Sequence, residues 1–441
     1  MVLIRYKPTI SFSIEHRKRK RKIEIDTFFL GVMLGAASIV LFNIISYERA
    51  VVSILGNTQL SPLGVVFLFF SMVFMSIFME ECGVFEYAAR RALVFAGNSG
   101  KKLFFSLYAT ISILTIFTSN DILILTFTPF IYYFAKHAKV DPKPYFFAEF
   151  FAANTWSMFF SVGNTTNLIV TSAVGISFWD YFGVMFFPTI AAGIVNALIT
   201  YYLFRDTIKG RITAAKVNPT KAIQNRVGAV VGTAILGLCI LTISIAPFFD
   251  LDIWTTSVVF AVLLLVFILG QNLYHRWKGE KLQSLRALLV KIPWLIIPFL
   301  LSLFILVEAL EEQGISAVVG GSLAKIGMGI PALIVFVYGV ASTLMANVVN
   351  NISMAVAFVP MLTQLHGVAL LAASYATVIG SNLGANLTPI GALAGIMWMS
   401  LLKHYGYTLS FKEFVKYGAV VTLGSLIAAL SVLAIEFAIV F

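Results

Sequence analysis

The sequence predicts an all-α polytopic membrane protein built from two inverted repeats, each holding a re-entrant helical hairpin and an interrupted transmembrane helix. Three observations predict it. The chain is 59% hydrophobic and only 12% charged, with a mean hydropathy of +0.93, beyond what a soluble globular fold carries. Apolar stretches of roughly 17 to 25 residues recur along its length, the span a helix needs to cross the hydrocarbon core, so no large soluble domain fits between them. The chain also aligns with itself. Glu80-Glu81-Cys82-Gly83-Val84 falls on Glu311-Glu312-Gln313-Gly314-Ile315 at an offset of 231 residues, and the same offset carries Asn120 onto Asn351 and Pro129 onto Pro360.

Taken in order, residues 1–26 form a basic tail whose cationic run, Arg17 to Lys22, has no small-residue cleavage site after it and is read as cytoplasmic. A span at about 27–47 then goes out, and one at about 62–79 returns to a segment bearing Arg90, Arg91, Lys101 and Lys102. The next cations are Lys136, Lys139 and Lys143. The apolar stretch between, about 103–136, has Ser119-Asn120-Asp121 at its centre, is too short for two crossings, and begins and ends on one side. A re-entrant hairpin satisfies this, its polar tip buried in protein or facing a water-filled cavity. An interrupted span at about 146–175 goes out and one at about 181–204 returns, closing a first repeat at 27–204.

Residues 205–252 supply a cytoplasmic loop, with Arg205, Lys209, Arg211, Lys216, Lys221 and Arg226, and a linking span at about 227–247; Asp250 and Asp252 lie in the outer turn. The second repeat, 253–441, opens with a span at about 253–273 that returns to Arg276, Lys278, Lys281, Arg286 and Lys291, followed by a span at about 292–310. No Lys or Arg occurs from Ile326 to Leu402, so the second hairpin, about 328–365, enters from outside and the second interrupted helix, about 367–402, follows it. Lys403, Lys412 and Lys416 mark the last return before a final span at about 417–440. Nine spans and two hairpins place the N-terminus in the cytoplasm and the C-terminus outside. The two copies then run in opposite directions, a secondary-transporter arrangement. Positive-inside topology also explains the net charge of +11 better than nucleic-acid binding does, because the cations lie in short clusters between apolar stretches.

The chemistry is expected at the helix breaks. A helix that begins in mid-membrane leaves backbone N–H groups without partners, and Asn120 and Asn351 stand where an N-cap would satisfy one of them. Such helix starts aim partial positive charge at the midplane. Asp121 is the sharpest feature, a carboxylate in a segment otherwise without charge from Leu103 to Ala135; its repeat mate is Ile352, so one titrating group is expected, and it suits proton coupling. Glu149, Asp180, Glu80, Glu81, Glu311 and Glu312 are read as solvated or scaffold groups near span ends. The polar set at the breaks is Ser119, Asn120, Asn154, Thr155, Ser157, Asn164, Thr165, Thr166 and Asn167, with Asn350, Asn351, Ser381, Asn382, Asn386 and Thr388. It holds no Arg or Lys, which leans toward a small neutral polyhydroxide over a dicarboxylate, although helix dipoles and a bound cation could hold an anion.

Catalysis is not expected. There is no HExxH motif, and Gly97-Asn98-Ser99-Gly100-Lys101 is too short for a phosphate loop. An aspartyl protease would need two core carboxylates. Cys82 and Cys239 have no paired spacing, so neither a disulfide framework nor a metal site is indicated, and no cofactor is implied.

At these motifs the sequence resembles the ion transporter superfamily, and within it the ArsB family of arsenite and antimonite efflux carriers. The carrying residues are Ser119-Asn120-Asp121 with Pro129, Ala148-Glu149-Phe150 to Asn154-Thr155-Trp156-Ser157, Gly163-Asn164-Thr165-Thr166-Asn167, Asn350-Asn351, and Gly384-Ala385-Asn386-Leu387-Thr388-Pro389-Ile390-Gly391. The family's first loop usually reads Gly-Asn-Pro-Thr-Asn, and here Thr165 replaces Pro, which puts loop rigidity or substrate choice in doubt. The resemblance implies a proton-driven antiporter of the cell inner membrane exporting trivalent arsenite or antimonite as hydroxides. It further implies an elevator-like movement of the hairpin-bearing domain, a separate ATPase subunit in some members, and a homodimer by superfamily analogy. The alternatives are a sodium-coupled anion carrier or sodium/proton antiporter of the same superfamily, and a passive channel or membrane-embedded scaffold without coupled transport.

Overall fold

The computed structural model describes residues 9–16, 19–56, 62–208, 218–249, 251–279 and 285–439. Of the charged residues that set the expected topology, Arg17, Lys18, Lys209, Arg211, Lys216, Asp250 and Lys281 lie outside the described residues. Nine helices among the described residues are long and apolar enough to cross a membrane, the first Pro62–Glu81 and the last Phe411–Ile439. Their outward residues, such as Val230, Leu241, Val266 and Leu273, are exposed, as lipid-facing side chains are. The chain is an all-α polytopic membrane protein with one small addition. In the basic tail, Thr9–His16 and Arg19–Asp26 pair as antiparallel strands, Thr9 against Asp26 and His16 against Arg19. The alternation of Ile10, Phe12 and Ile14 with polar residues has the period of a strand, a signal that the charge count in this segment masks.

The repeat is written in the helix boundaries. Val84–Ala96 and Ile315–Gly327 each start after a glycine in the left-handed region, Gly83 at φ 86° and Gly314 at φ 72°. The first hairpin consists of Gly100–Phe117 and Asn120–Ala138, the second of Pro331–Val349 and Asn351–Leu362. All three pairs of starting positions, 84 and 315, 100 and 331, 120 and 351, are separated by the offset seen in the sequence. The first broken helix is Lys143–Trp156 and Thr165–Val174, with a short 3-10 turn at Ser161–Gly163 between; the second is Gly367–Gly384 and Leu393–His404.

Packing follows the same symmetry. The first arm of each hairpin lies on the first half of its own broken helix, Gly100–Phe117 on Lys143–Trp156 and Pro331–Val349 on Gly367–Gly384. The second arms cross over, Asn120–Ala138 against Leu393–His404 and Asn351–Leu362 against Thr165–Val174. Two mates, Phe178–Ile208 and Phe411–Ile439, pack on each other. These crossed contacts bring both hairpin tips and both breaks together. The second hairpin's first arm approaches its own broken helix closely enough to need glycine: a Cβ on Gly380 would lie 2.0 Å from Ser342 Oγ and 2.4 Å from the Gly339 carbonyl.

Two expected spans differ in detail. The first ends at Leu41, and a separate helix, Tyr47–Leu55, follows, its start capped by Ser46 Oγ, which accepts from the Arg49 N–H at 3.3 Å. The one expected at about 292–310 is Ile296–Glu312, preceded by Leu285–Lys291; Pro293, which has no N–H to donate, stands in the turn between them.

Candidate functional site

Each break exposes backbone groups that the neighbouring helices cannot pair, and the sequence supplies amides and hydroxyls to meet them. Asn164 begins Thr165–Val174 as its N-cap, its Oδ1 accepting from the Thr166 N–H at 3.3 Å. Asn167 Nδ2 donates to the Ser157 and Phe160 carbonyls at 2.8 and 3.1 Å, closing the loop of the first break. Gly163 is required there, because a Cβ would stand 2.4 Å from the Ser157 carbonyl oxygen.

The capping expectation needs correction at both hairpin tips. Ser119, not Asn120, is the N-cap residue of the first hairpin's second arm, and its side chain makes no capping bond; Asn120 sits one position inside the helix and turns its amide outward, donating to Asn154 Oδ1 at 3.0 Å. At the second tip Asn350, not Asn351, is the cap, accepting from the Ile352 N–H at 3.0 Å. Asn350 holds φ 79° and ψ 151°, a region that costs a non-glycine residue about 1–3 kcal/mol, and such strain concentrates at functional sites. The Asn351 N–H donates to the Gly391 carbonyl at 3.0 Å, tying the tip to the second break.

From these tips a buried network joins the two halves. Asn154 Nδ2 donates to Asn386 Oδ1 at 3.2 Å, and Asn386 Nδ2 to Thr155 Oγ1 at 3.3 Å. Asn382 is a hub: its Oδ1 accepts from Ser157 Oγ and Asn164 Nδ2, both at 2.8 Å, and its Nδ2 donates to Asn167 Oδ1 at 2.7 Å. Ser381 Oγ donates to Thr166 Oγ1 at 3.0 Å. The structure therefore brings together Asn120, Asn154, Asn164, Thr166, Asn167, Asn382 and Asn386, all nine-tenths or more buried. Asn350 Nδ2 and Asn351 Oδ1 have no hydrogen-bond partner among the described residues and are buried, leaving one donor and one acceptor open at the second tip. Thr388 stands apart, donating to Asn347 Oδ1 at 2.7 Å, and Thr165 is buried with no side-chain bond of its own among the described residues.

Two amides escaped sequence reading. Asn196 Nδ2 donates to Thr155 Oγ1 at 2.9 Å and its Oδ1 accepts from Tyr108 OH at 3.1 Å, extending the network into Phe178–Ile208. Asn347 Nδ2 donates to the Thr343 and Gly384 carbonyls at 2.8 and 2.9 Å. An isolated amide in an apolar span is itself the signal that would have found both.

Asp121 faces another way. With Ser119 it lines a cavity of about 610 Å³ between the first tip and the helices around Phe69, Ile77 and Trp294, so the acidic group and its neighbour Asn120 serve different sides of the tip. Glu80 and Lys291 line this cavity and also a second one, of about 730 Å³, that runs past Arg90, His137, Asn218 and Lys221. Lys291 bridges Glu80 at 3.2 Å and also Glu81; across the repeat, Arg49 lies 3.5 Å from Glu308 and 4.0 Å from Glu312. Asp180 accepts from Ser177 Oγ at 2.6 Å on an exposed turn, as a solvated group. Glu149 departs from its expected place near a span end. It is fully buried in the middle of Lys143–Trp156, because every residue of that segment from Pro144 to Thr155 faces protein.

Comparison with known proteins agrees with this architecture. Residues 27–378 match the family model described as citrate transporter. An uncharacterized transporter of Synechocystis sp. is 27% identical over 421 residues, 91% of each chain, and the arsenical pump membrane protein of Escherichia coli K12 is 25% identical over 379 residues, 83% of this chain and 85% of that one. The crystal structure of the YdaH transporter of Alcanivorax borkumensis shares the fold, with a TM-score of 0.57 at 14% identity over 98% of this chain and 94% of that one. The family likeness read from the motifs therefore holds across most of the sequence: the chain belongs to the citrate transporter (CitMHS) family of membrane carriers, alongside the arsenical pump membrane proteins.

Proposed function

We propose that the protein is a secondary carrier that exports trivalent arsenite or antimonite as neutral hydroxides in exchange for protons. The observation that carries this reading is the make-up of the junction: amides and hydroxyls from both halves, with no Arg or Lys among them. A neutral trihydroxide is both donor and acceptor at each oxygen and needs such partners, including the open Asn350 and Asn351 groups. A carboxylate solute would bring charges whose burial costs several kcal/mol each without a cation, more than a helix N-terminus returns at up to ~2 kcal/mol. Relatives that carry the arsenical name support the same choice.

Asp121 is the proposed proton carrier. The cavity it lines shares Glu80 and Lys291 with the larger cavity beside the cationic loops, a route for water and protons from the side assigned to the cytoplasm. In this reading residues 27–204 and 253–441 are the two repeats, 1–26 the cytoplasmic tail and 205–252 the link. The C-terminus lies outside the cell membrane, and the hairpins move with their broken helices as an elevator. A homodimer and a separate ATPase subunit remain proposals by analogy.

The family description favours a second reading, a sodium-coupled anion carrier. Growth of a metalloid-sensitive host on arsenite separates the two: protection by this chain supports the first, while sodium-dependent anion uptake with no response to arsenite replaces it.

A further inference from the structure

Glu149 is the buried carboxyl that the proposed cycle does not use. It is 0% exposed, and no Lys, Arg or His among the described residues pairs with it. Titratable groups on its helix and the elements packed against it are spoken for elsewhere: Tyr108 OH bonds Asn196 and the Gly193 carbonyl, Asp121 lines its cavity two turns before Thr128, and Lys143 pairs with Glu413 at 2.6 Å at the start of the helix. Phe150, next in sequence, packs its ring 4.9 Å from that of Trp398. An ionised carboxylate in such a setting would be strongly unfavourable.

The hydrogen bonding around Thr128 fits the acid form of Glu149. Thr128 Oγ1 lies 2.6 Å from the Ile124 carbonyl oxygen and 2.9 Å from Glu149 Oε1. A hydroxyl has one hydrogen, a backbone carbonyl can only accept, and a carboxylate can only accept. If Thr128 gives its hydrogen to Ile124, the Glu149 contact is a bond only when Glu149 supplies the proton. Glu149 Oε2 and the neighbouring Trp398 indole N–H are both buried without a hydrogen-bond partner among the described residues, so the second oxygen carries none of the bonds a charged oxygen needs.

The place of the bond gives it a task. Pro129 follows Thr128 inside the hairpin's second arm and removes one helical hydrogen bond there, so this arm is weak at that turn. Two side-chain bonds hold it to Lys143–Trp156: Asn120 to Asn154 at the tip, and Thr128 to Glu149 about two turns further along. We propose that Glu149 is a positioning residue held as a neutral carboxylic acid throughout the cycle, donating to Thr128 so that the second arm of the first hairpin stays in register and Asn120 reaches Asn154.

The test combines spectroscopy with rescue. The infrared spectrum of the purified protein minus that of E149Q shows a protonated-carboxyl C=O band that persists at every pH at which both proteins stay folded. In everted vesicles E149Q, whose amide can still donate to Thr128, keeps the arsenite uptake and pH profile of the parent, whereas E149A and T128V raise the KM roughly three- to tenfold, the value of one intramembrane hydrogen bond. Absence of the band, its loss within the working pH range, or an E149Q no better than E149A overturns the proposal. The infrared arm needs no transported solute, so it decides the matter even for a protein that does not move arsenite.

Discussion

Replacing Asn382 by alanine removes the hub that ties the second broken helix to the first. Three bonds are lost: those from Ser157 Oγ and Asn164 Nδ2, and that to Asn167 Oδ1. Ser157 keeps a second acceptor, the Asn154 carbonyl at 2.9 Å, so its loss is small. Asn164 Nδ2 is left with no partner, and Asn167 Oδ1 retains only the 3.4 Å contact from Thr166. Two stranded buried groups at about 1–3 kcal/mol each give about 2–6 kcal/mol. Intramembrane bonds measure lower, near 0.6 kcal/mol on average, because stranded groups find other partners, so we expect about 2–4 kcal/mol. At about 1.4 kcal/mol per tenfold, that is roughly a thirtyfold or greater loss in the equilibrium constant for the intact junction. Thermal melting of the purified protein should fall by several degrees, and arsenite uptake by everted vesicles should fall with it. The control is Ser322→Ala, an exposed hydroxyl bonded only to the Val318 carbonyl, which should change neither. Parental melting and uptake in N382A would refute the claim that this network holds the two halves together.

Three further outcomes are expected. Asn350→Gly should keep melting within about 1 kcal/mol of the parent, since glycine relieves the positive φ and replaces a cap at little loss, yet lower uptake because the open amide is gone; Asn350→Ala should lower both. Asn196→Leu should weaken uptake and melting less than N382A in the same two assays, because both groups it leaves keep a partner, Tyr108 OH the Gly193 carbonyl at 2.9 Å and Thr155 Oγ1 the Asn386 amide at 3.3 Å. Lys291→Met should speed labelling of Ser119→Cys by a charged thiol reagent added from the cytoplasmic face, since Lys291 lines both cavities; native Cys82 and Cys239 are buried and give little background. An unchanged labelling rate would mean that the Lys291 bridge does not separate the two spaces.

Much of this architecture was legible from residue order. The breaks were marked by Asn, Gly and Pro in apolar runs, and a constant offset placed Asn120 and Asn351 at equivalent helix starts. What composition does not carry is direction. Asn120 and Asp121 are adjacent, yet successive residues on a helix point about 100° apart, so one joins the amide network and the other lines a cavity. Nor could spacing show which residue caps the second tip, because that depends on Asn350 adopting a positive φ that the Gly391 contact of its neighbour stabilises. Glu149 was misplaced for a related reason. It lies six residues after Lys143, and that distance from a cation suggests an interface, whereas its full burial and its partner at Thr128 come from tertiary packing.

Asp121 carries the proposed coupling, and arsenite uptake by everted vesicles under an imposed proton gradient, interior acid, measures it most directly. The parent should accumulate arsenite, a protonophore should abolish the accumulation, and D121N should fail to accumulate while melting at the parental temperature. Full gradient-driven accumulation by D121N, or uptake that follows sodium and ignores the proton gradient, would contradict it.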